Sequence, residues 1–143
     1  MIRPLALTFL GAALLVSAPA TAQEFDCSRR DDLPQSGLTV CAGEDFDKTD
    51  AELNALWPKL VAEAKRRDAD MADFFRDRNV PTNEKALRAA QRAWIEFRDR
   101  QCELESYEAL GGSMQPMLGA ACKADMTQKR IAELSTLFDE SGR

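Results

Sequence analysis

Apolar residues recur at intervals of three and four along most of residues 49–138, and this spacing constrains the fold more than any other feature. Such a period places apolar side chains on one face of an α-helix, whereas a half-buried strand needs strict alternation. No segment of useful length alternates in that way. The sequence therefore predicts an all-α fold, a small disulfide-stapled bundle or twisted arrangement of three main helices.

The first predicted helix begins at Thr49 and ends near Asp77. Thr49 and Glu52 have the spacing of a capping box, in which each side chain bonds the backbone of the other residue. Because Pro58 removes a backbone donor inside this helix, we expect a kink just before it. The apolar stripe consists of Leu53, Leu56, Leu60, Ala64, Met71 and Phe74.

Residues 23–48 are predicted to be irregular. Pro34, Gly37 and Gly43 break any helical period there, and polar side chains dominate. A single helical turn over residues 29–33 is the one regular feature that we expect in this segment.

The second and third predicted helices are separated by Gly111-Gly112. Thr82 or Asn83 caps the second helix, which continues to about Leu110 and ends there because glycine most readily adopts the left-handed conformation. Its predicted inner face consists of Leu87, Ala90, Gln91, Trp94, Phe97, Gln101 and Leu104. Ser113 is the predicted cap of the third helix, with Pro116 in its first turn. The apolar side of that helix carries Met117 or Leu118, Ala121, Cys122, Met126, Ile131, Leu134 and Phe138.

The first 22 residues have the pattern of an export signal. Met1-Ile2-Arg3 supplies a positive charge, residues 5–16 are almost entirely apolar, and Ala20-Thr21-Ala22 fits a cleavage site. The apolar run is short for a bilayer span, although an uncleaved anchor is the alternative interpretation. We expect residues 1–22 to be a signal peptide and residues 23–143 to be one helical domain, periplasmic or secreted and not bound to a membrane after cleavage.

The four cysteines, Cys27, Cys41, Cys102 and Cys122, suit a disulfide-bonded exported domain. Their separations contain no short zinc knuckle, and the chain has no histidine to complete a zinc site, so no metal is expected. Four cysteines permit three pairings. We predict the local pairs, Cys27–Cys41 and Cys102–Cys122, because each would close a short loop beside a helix.

The absence of histidine removes the commonest general base and every histidine-dependent catalytic group. Dinucleotide, P-loop and nucleophile-elbow glycine motifs are also missing, so we expect neither enzyme activity nor a cofactor. A histidine-free hydrolase that works through carboxylates is the least favoured alternative. The formal net charge of −5 becomes one unit more negative when Arg3 is removed, and nucleic acid is therefore not an expected partner.

Residues 90–102 read Ala-Gln-Arg-Ala-Trp-Ile-Glu-Phe-Arg-Asp-Arg-Gln-Cys and are followed by Gly111-Gly112-Ser113. Cys122, Thr127 and Arg130 then occur in Cys-x4-Thr-x2-Arg order. This pattern resembles the LprI-type lysozyme-inhibitor family. The opening segment agrees, since Asp26-Cys27, Cys41 and Asp50-x-Glu52-Leu53-Asn54 resemble a cysteine pair before a helix that carries Leu-Asn. Three features depart from the family, namely Trp57 at a position that is usually tyrosine, Pro58, and the lack of a lipobox.

The resemblance implies a small helical, disulfide-bonded, exported domain in a family whose named member inhibits lysozyme. We interpret the family-motif residues as mainly structural, with the aromatic members in the core and the polar members bonded to one another between helices. A surface patch near the Gly-Gly turn is the functional alternative for the polar members. The motif residues are Gln91, Trp94, Phe97, Arg98, Asp99, Thr127 and Arg130.

Lysozyme is cationic and has its two catalytic carboxyl groups in a deep cleft, so an acidic protein could be steered to it and block the cleft with a loop. One candidate is an acidic loop with an aromatic anchor, and the other is a turn small enough to enter a groove. The simpler interpretation of both is a solvated loop and a helix cap. The first consists of Glu44, Asp45, Phe46 and Asp47, and the second of Gly111, Gly112, Ser113 and Met114.

Three classes of function are compatible with these observations. The specific hypothesis is an exported binding protein that inhibits a lysozyme-like peptidoglycan glycosidase by occluding its cleft, with a cationic lysozyme as partner. The second is a non-enzymatic envelope interaction module that binds another exported protein. The third is the histidine-free hydrolase, which would need a concave pocket holding at least two carboxylates with raised pKa.

Overall fold

A computed structural model describes residues 24–138, so the predicted signal peptide and Gln23 lie outside the described residues. Four helices account for most of this part of the chain: α1 Gln35–Asp70, α2 Ala72–Arg78, α3 Asn83–Ser106 and α4 Gln115–Thr136. Two short 3-10 turns precede α1 and follow α3, at Arg30–Asp32 and Tyr107–Ala109. The described residues contain no strand. The prediction of an all-α, disulfide-containing fold is confirmed.

The prediction that residues 23–48 are irregular is wrong from Gln35 onward, because α1 begins there and includes both Gly37 and Gly43. Gly37 provides space and does not break the helix. A Cβ at this position would lie 2.8 Å from Cδ1 of the Phe25 ring and 3.2 Å from Cβ of Leu33. The segment before α1 therefore folds back across the helix at a site that only glycine leaves open.

Thr49 lies inside α1 and does not cap a helix, since its hydroxyl donates to the Phe46 carbonyl at 3.0 Å. Pro58 is also internal to α1. The helix instead ends at Met71, and α2 follows as a separate short helix that ends at Asn79 in the left-handed conformation (φ 50°). Because the helix is interrupted at Met71, the predicted apolar stripe of α1 does not continue into α2. Met71 and Phe74 are exposed.

The hydrophobic core lies where α1, α3 and α4 meet, and α1 packs most extensively against α4. The predicted inner face of α3 is displaced by one position toward its C-terminal half, where Arg98 and Cys102 are buried. Phe97 is 57% exposed and Leu104 is 62% exposed, so both predicted core positions are wrong. The buried core side chains are Leu53, Leu60, Ala64, Leu87 and Leu134.

Two disulfides fix the ends of the helices. Cys27 is joined to Cys41, which attaches the N-terminal segment to α1, with a Cα–Cα distance of 5.5 Å. Cys102 is joined to Cys122, which ties the last turns of α3 to the first half of α4, with a Cα–Cα distance of 5.4 Å. Both Cys41 and Cys102 are fully buried.

The turn between α3 and α4 has the predicted glycine at its left-handed position, with Gly111 at φ +76°. The predicted Ser113 cap is wrong, because α4 begins one residue later than such a cap requires, after Met114, which makes no side-chain capping bond. Gln115 instead fixes the preceding turn, since its Oε1 accepts from the Gly111 backbone N–H at 2.9 Å. Pro116 lies in the first turn of α4 as predicted.

The N-terminus of α3 is capped from α1. The Thr82 hydroxyl accepts from the Lys85 N–H, and the Asp68 carboxylate accepts from the Asn83 and Glu84 N–H groups at 2.6 and 3.0 Å. Burial alone would raise the pKa of Asp68, but these hydrogen bonds outweigh burial and lower it below its ordinary value of 3.8. Asp68 therefore connects the end of one helix to the beginning of the next in its charged form.

We predict that Asp68→Asn lowers the free energy of unfolding at pH 7 by about 1 kcal/mol, the usual contribution of a capping carboxylate. Because the folded-state pKa lies below the unfolded one, this stabilisation is present above about pH 4 and is lost as the pH falls through the folded-state value. The difference between wild type and variant should therefore shrink in acid. Urea unfolding followed by circular dichroism at pH 7 and pH 3 measures it.

Asp77→Asn is the matched control, because Asp77 is exposed at the end of α2 and lies 3.7 Å from the Arg76 guanidinium. We expect it to change stability by less than about 0.5 kcal/mol at either pH. Equal effects of the two substitutions at pH 7 would contradict the capping role of Asp68.

Candidate binding surfaces

Arg98 is a buried cation at the junction of α1, α3 and α4, with 6% of its surface exposed. Its Nη1 donates to the Thr127 hydroxyl at 3.2 Å and to Asp50 at 3.4 Å, and its Nε donates to Asp99 at 3.0 Å. Its guanidinium also lies over the rings of Phe46 and Trp94, at 5.0 and 5.3 Å from their centroids. All sides of this buried charge are therefore occupied by groups of this chain.

Arg130 extends this network toward the C-terminal half of α4. Its Nε donates to Oε1 of Gln91 at 3.2 Å, its Nη1 pairs with Glu133 at 3.0 Å, and its guanidinium lies 5.6 Å from the Trp94 ring centroid. Trp94 is thus in contact with both arginines. We call this set the Arg98 network, and it consists of Phe46, Asp50, Gln91, Trp94, Arg98, Asp99, Thr127 and Arg130.

Six of the seven family-motif residues belong to the Arg98 network, which connects three helices and leaves little of its buried polar surface to solvent. Phe97 is the exception, because it lies on the exposed side of α3. This arrangement favours the structural interpretation of the polar motif residues. Phe46 and Asp50 were missed as members of the network, and the apolar periodicity of α1 gives no signal for either of them.

We predict that Thr127→Val lowers the free energy of unfolding by about 1–3 kcal/mol, because it removes an acceptor from the buried Arg98 guanidinium without changing side-chain shape. Chemical unfolding monitored by circular dichroism gives the value. Thr136→Val is the control, since that hydroxyl is exposed and donates only to the Glu133 carbonyl of its own helix. If the two variants were equally stable, the network would not depend on Thr127.

The predicted acidic loop of residues 44–47 is wrong as a loop, since Glu44, Asp45, Phe46 and Asp47 form part of α1. Asp45 is already paired through both carboxylate oxygens with the Arg30 guanidinium, at 2.8 and 2.9 Å. Phe46 contacts Arg98 and the Lys123 ammonium, which lies 5.7 Å from its ring centroid. Its ring is therefore engaged within the protein and is a poor candidate for an anchor into a partner.

The turn between α3 and α4, by contrast, is exposed except at the half-buried Ala109, and Gly111, Gly112, Ser113 and Met114 lie at its end. Four large apolar or aromatic side chains surround it, all at least 45% exposed. We call this surface the apolar tip, and it consists of Leu104, Tyr107, Leu110 and Met114. Leu110 is the most exposed of the four, at 69%. The sequence reasoning missed Leu104, Tyr107 and Leu110, although their position beside a Gly-Gly turn was a usable signal.

The chain segment that forms the apolar tip carries only negative charges. Residues 101–122 contain Glu103, Glu105 and Glu108 and no basic residue. Glu105 and Glu108 also line an open hollow of about 570 Å³ beside the tip, together with Asp125. No grouping of acidic or cysteine side chains within residues 24–138 is arranged to hold a metal ion. Glu103 is paired with Arg100 at 3.1 Å and Asp125 with Lys129 at 2.6 Å, so the tip combines exposed apolar area with a negative potential that comes mainly from Glu105 and Glu108.

The backbone that carries the apolar tip is firmly held. The Cys102–Cys122 disulfide lies just below the turn, and Gln115 bonds both the Gly111 N–H and the Ser106 hydroxyl. α4 packs against α3 at Gly119, where a Cβ would lie at an ordinary contact distance of 3.6 Å from Cβ of Ser106. A turn fixed in this way loses little conformational entropy when it meets a partner.

These features define a small helical protein whose hairpin tip is held by a disulfide and whose motif residues form an internal network. The family model described as lysozyme inhibitor LprI matches residues 27–134. An uncharacterised protein from Rhizobium meliloti strain 1021 is 42% identical over 132 residues, covering 92% of this chain and 94% of its own length. The chain belongs to the LprI lysozyme-inhibitor family. No solved structure matches it.

Membership in a family of inhibitors agrees with a role in binding, and two disulfides are typical of proteins outside the cytoplasm. Within residues 24–138, every helix is too short or too polar to cross a bilayer.

Proposed function

We propose that this protein inhibits a lysozyme-like peptidoglycan glycosidase and that the apolar tip is the part that enters the cleft of the enzyme. One observation carries the proposal. In a family described as lysozyme inhibitors, Leu110 is the most exposed large apolar residue within residues 24–138 of this chain, and it lies on a rigid turn among carboxylates.

Electrostatic attraction favours an encounter in which the enzyme meets the apolar tip first. A cationic enzyme is attracted to the carboxylates of Glu105 and Glu108, which lie at the end of α3 and just beyond it, whereas Glu103 is paired with Arg100. Contact then buries the side chains of the apolar tip, and each fully buried leucine-sized group contributes about 1.5–3 kcal/mol. Charge therefore directs the encounter, and apolar burial at the tip stabilises the complex.

The same proposal includes export. Residues 1–22 would be removed as a signal peptide, which would leave residues 23–143 as a single periplasmic or secreted domain. An oxidising compartment is needed to form both disulfides, and lysozyme-like enzymes act on the cell wall outside the cytoplasm. No catalytic role is proposed, since inhibition by occlusion requires none. A non-enzymatic module for another exported partner would use the same tip, and the lysozyme measurements below distinguish the two.

We predict that the purified oxidised protein slows lysis of a peptidoglycan suspension by a C-type lysozyme and binds that enzyme directly in titration calorimetry. Leu110→Arg should weaken both effects at least about tenfold, because it removes apolar area worth more than 1.4 kcal/mol and adds a charge that repels a cationic enzyme. Binding should also weaken as salt is raised.

Val80→Arg is the matched control. Val80 is 45% exposed, and it precedes α3, whereas the tip follows that helix. This variant should inhibit as wild type does. Absence of binding to several lysozyme types at large molar excess would refute the proposal, and equal losses in the two variants would show that the apolar tip is not the contact surface.

A further inference from the structure

A second concave surface lies between α1 and α3, away from the apolar tip. This groove has a volume of about 330 Å³. It contains both apolar and polar groups, including an aromatic ring and two guanidinium groups, and we call it the α1–α3 groove. Its lining residues are Leu53, Asn54, Trp57, Arg88, Gln91, Arg92 and Ile95.

Gln91 gives the clearest sign that the groove is suited to a ligand. The residue is 7% exposed, and its Oε1 is held by the Arg130 guanidinium. No described residue accepts a hydrogen bond from its Nε2. Every fully buried side-chain polar atom within residues 24–138 has a partner, so this Nε2 must be at least partly exposed to solvent. Because Gln91 lines the groove, its Nε2 is an oriented donor that faces the solvent there.

Three neighbouring groups add complementary bonding capacity. Asn54 uses its amide nitrogen to bond Asp50 at 2.9 Å, which leaves its carbonyl oxygen as an acceptor. Trp57 lines the groove while it packs partly against the hydrophobic core, and its indole N–H donates to no described residue. Arg92 is exposed and makes no ion pair or hydrogen bond with any residue of the described chain. Arg88, in contrast, is paired with Glu84 at 2.9 Å.

An aromatic face, an amide donor, an amide acceptor and a free guanidinium are the groups that bind a sugar ring carrying a carboxylate. The apolar face of the ring packs on an aromatic side chain, amides bond hydroxyl and acetamido groups, and a guanidinium pairs with a carboxylate through two bonds. A purely apolar ligand would leave Gln91 Nε2 without a partner. A nucleic acid would meet only two arginines in a chain of net charge −5.

We propose that the α1–α3 groove binds an N-acetylated saccharide with an attached carboxylate, the chemistry of the muramic acid unit in peptidoglycan. Trp57 supports the sugar ring, Gln91 and Asn54 bond its acetamido and hydroxyl groups, and Arg92 pairs with the carboxylate. The protein then contacts the cell-wall glycan through one surface and an enzyme through another.

The groove is independent of the apolar tip. Arg92 and Leu110 are separated by four turns of α3 and the 3-10 turn that follows it, so the two surfaces do not overlap. Loss of lysozyme binding therefore leaves this proposal intact, and loss of saccharide binding leaves the proposed inhibition intact.

The test is a titration of ¹⁵N-labelled oxidised protein, followed by amide chemical shifts and tryptophan indole signals. The main probe is the disaccharide of N-acetylglucosamine and N-acetylmuramic acid. Di-N-acetylchitobiose supplies the same rings without a carboxylate, and lactate supplies the carboxylate without a ring. We expect saturable shifts at residues of α1 and α3 around the groove, with the carboxylated disaccharide bound about tenfold more tightly than chitobiose.

Two variants separate the contributions. Arg92→Gln should remove the preference for the carboxylated disaccharide and leave chitobiose binding unchanged, whereas Trp57→Ala should weaken both sugars. Lys59→Gln is the control for charge, because Lys59 is exposed on α1, outside the groove, and pairs with no described residue. It should behave as wild type. Thermal unfolding of each variant checks that the fold is retained.

Several results would overturn the proposal. They are the absence of saturable shifts with either sugar at millimolar concentration, shifts centred on the apolar tip, and equal affinity for lactate and the carboxylated disaccharide. A preference for the carboxylated sugar that survives Arg92→Gln would also refute the assigned role of Arg92. If Trp57→Ala fails to fold, Trp57→Leu replaces it, because leucine keeps apolar bulk and removes the aromatic face, and unchanged affinity for both sugars in that folded variant would refute stacking at this position.

Discussion

The buried guanidinium of Arg98 determines how the three long helices are arranged. A charge with 6% exposure is tolerated only when several groups compensate it, and here these groups come from α1 (Phe46, Asp50), from α3 itself (Trp94, Asp99) and from α4 (Thr127). Sliding any of these helices by one residue would separate Arg98 from at least one partner. Apolar packing at Leu53, Leu60 and Leu134 stabilises the fold but has no comparable directional preference. The Arg98 network therefore sets the register of the helices relative to one another, and the core stabilises that arrangement.

Because the Arg98 network and the core hold the helices together, the α3–α4 turn does not need to contribute side chains to the core. With register fixed by Arg98 and the crossing of α3 and α4 fixed by the Cys102–Cys122 disulfide, the turn can expose Leu110 without loss of the fold. Exposed apolar groups on a rigid turn normally favour association with other molecules, and a soluble monomer keeps such patches small. Surrounding carboxylates limit self-association, because two negative tips repel each other, while a cationic partner is still attracted.

Sequence reasoning predicted the helical class, the start of α3 and the glycine turn, because each depends on local chemistry: apolar period, the Thr82 cap and the left-handed conformation of Gly111. It failed where a distant group decides the local structure. Gly37 was interpreted as a helix breaker, but it makes room for Phe25. Phe97 was predicted to lie in the core from the apolar period, but it is exposed because Arg98 and Cys102 set the inner face of α3. The candidate turn at residues 111–114 was found for its glycines, whereas the exposed side chains beside it became visible only in three dimensions.

The separation of charge along α3 explains how one small acidic protein could serve two different ligands. The groove end carries the guanidinium of Arg92, with Arg88 already paired with Glu84, while the tip end carries Glu105 and Glu108, with Glu103 paired with Arg100. A cationic enzyme is drawn to the second region and repelled by the first, and an acidic glycan experiences the opposite forces. Because α3 is a continuous helix braced against α1 and α4, the distance between the two surfaces is fixed.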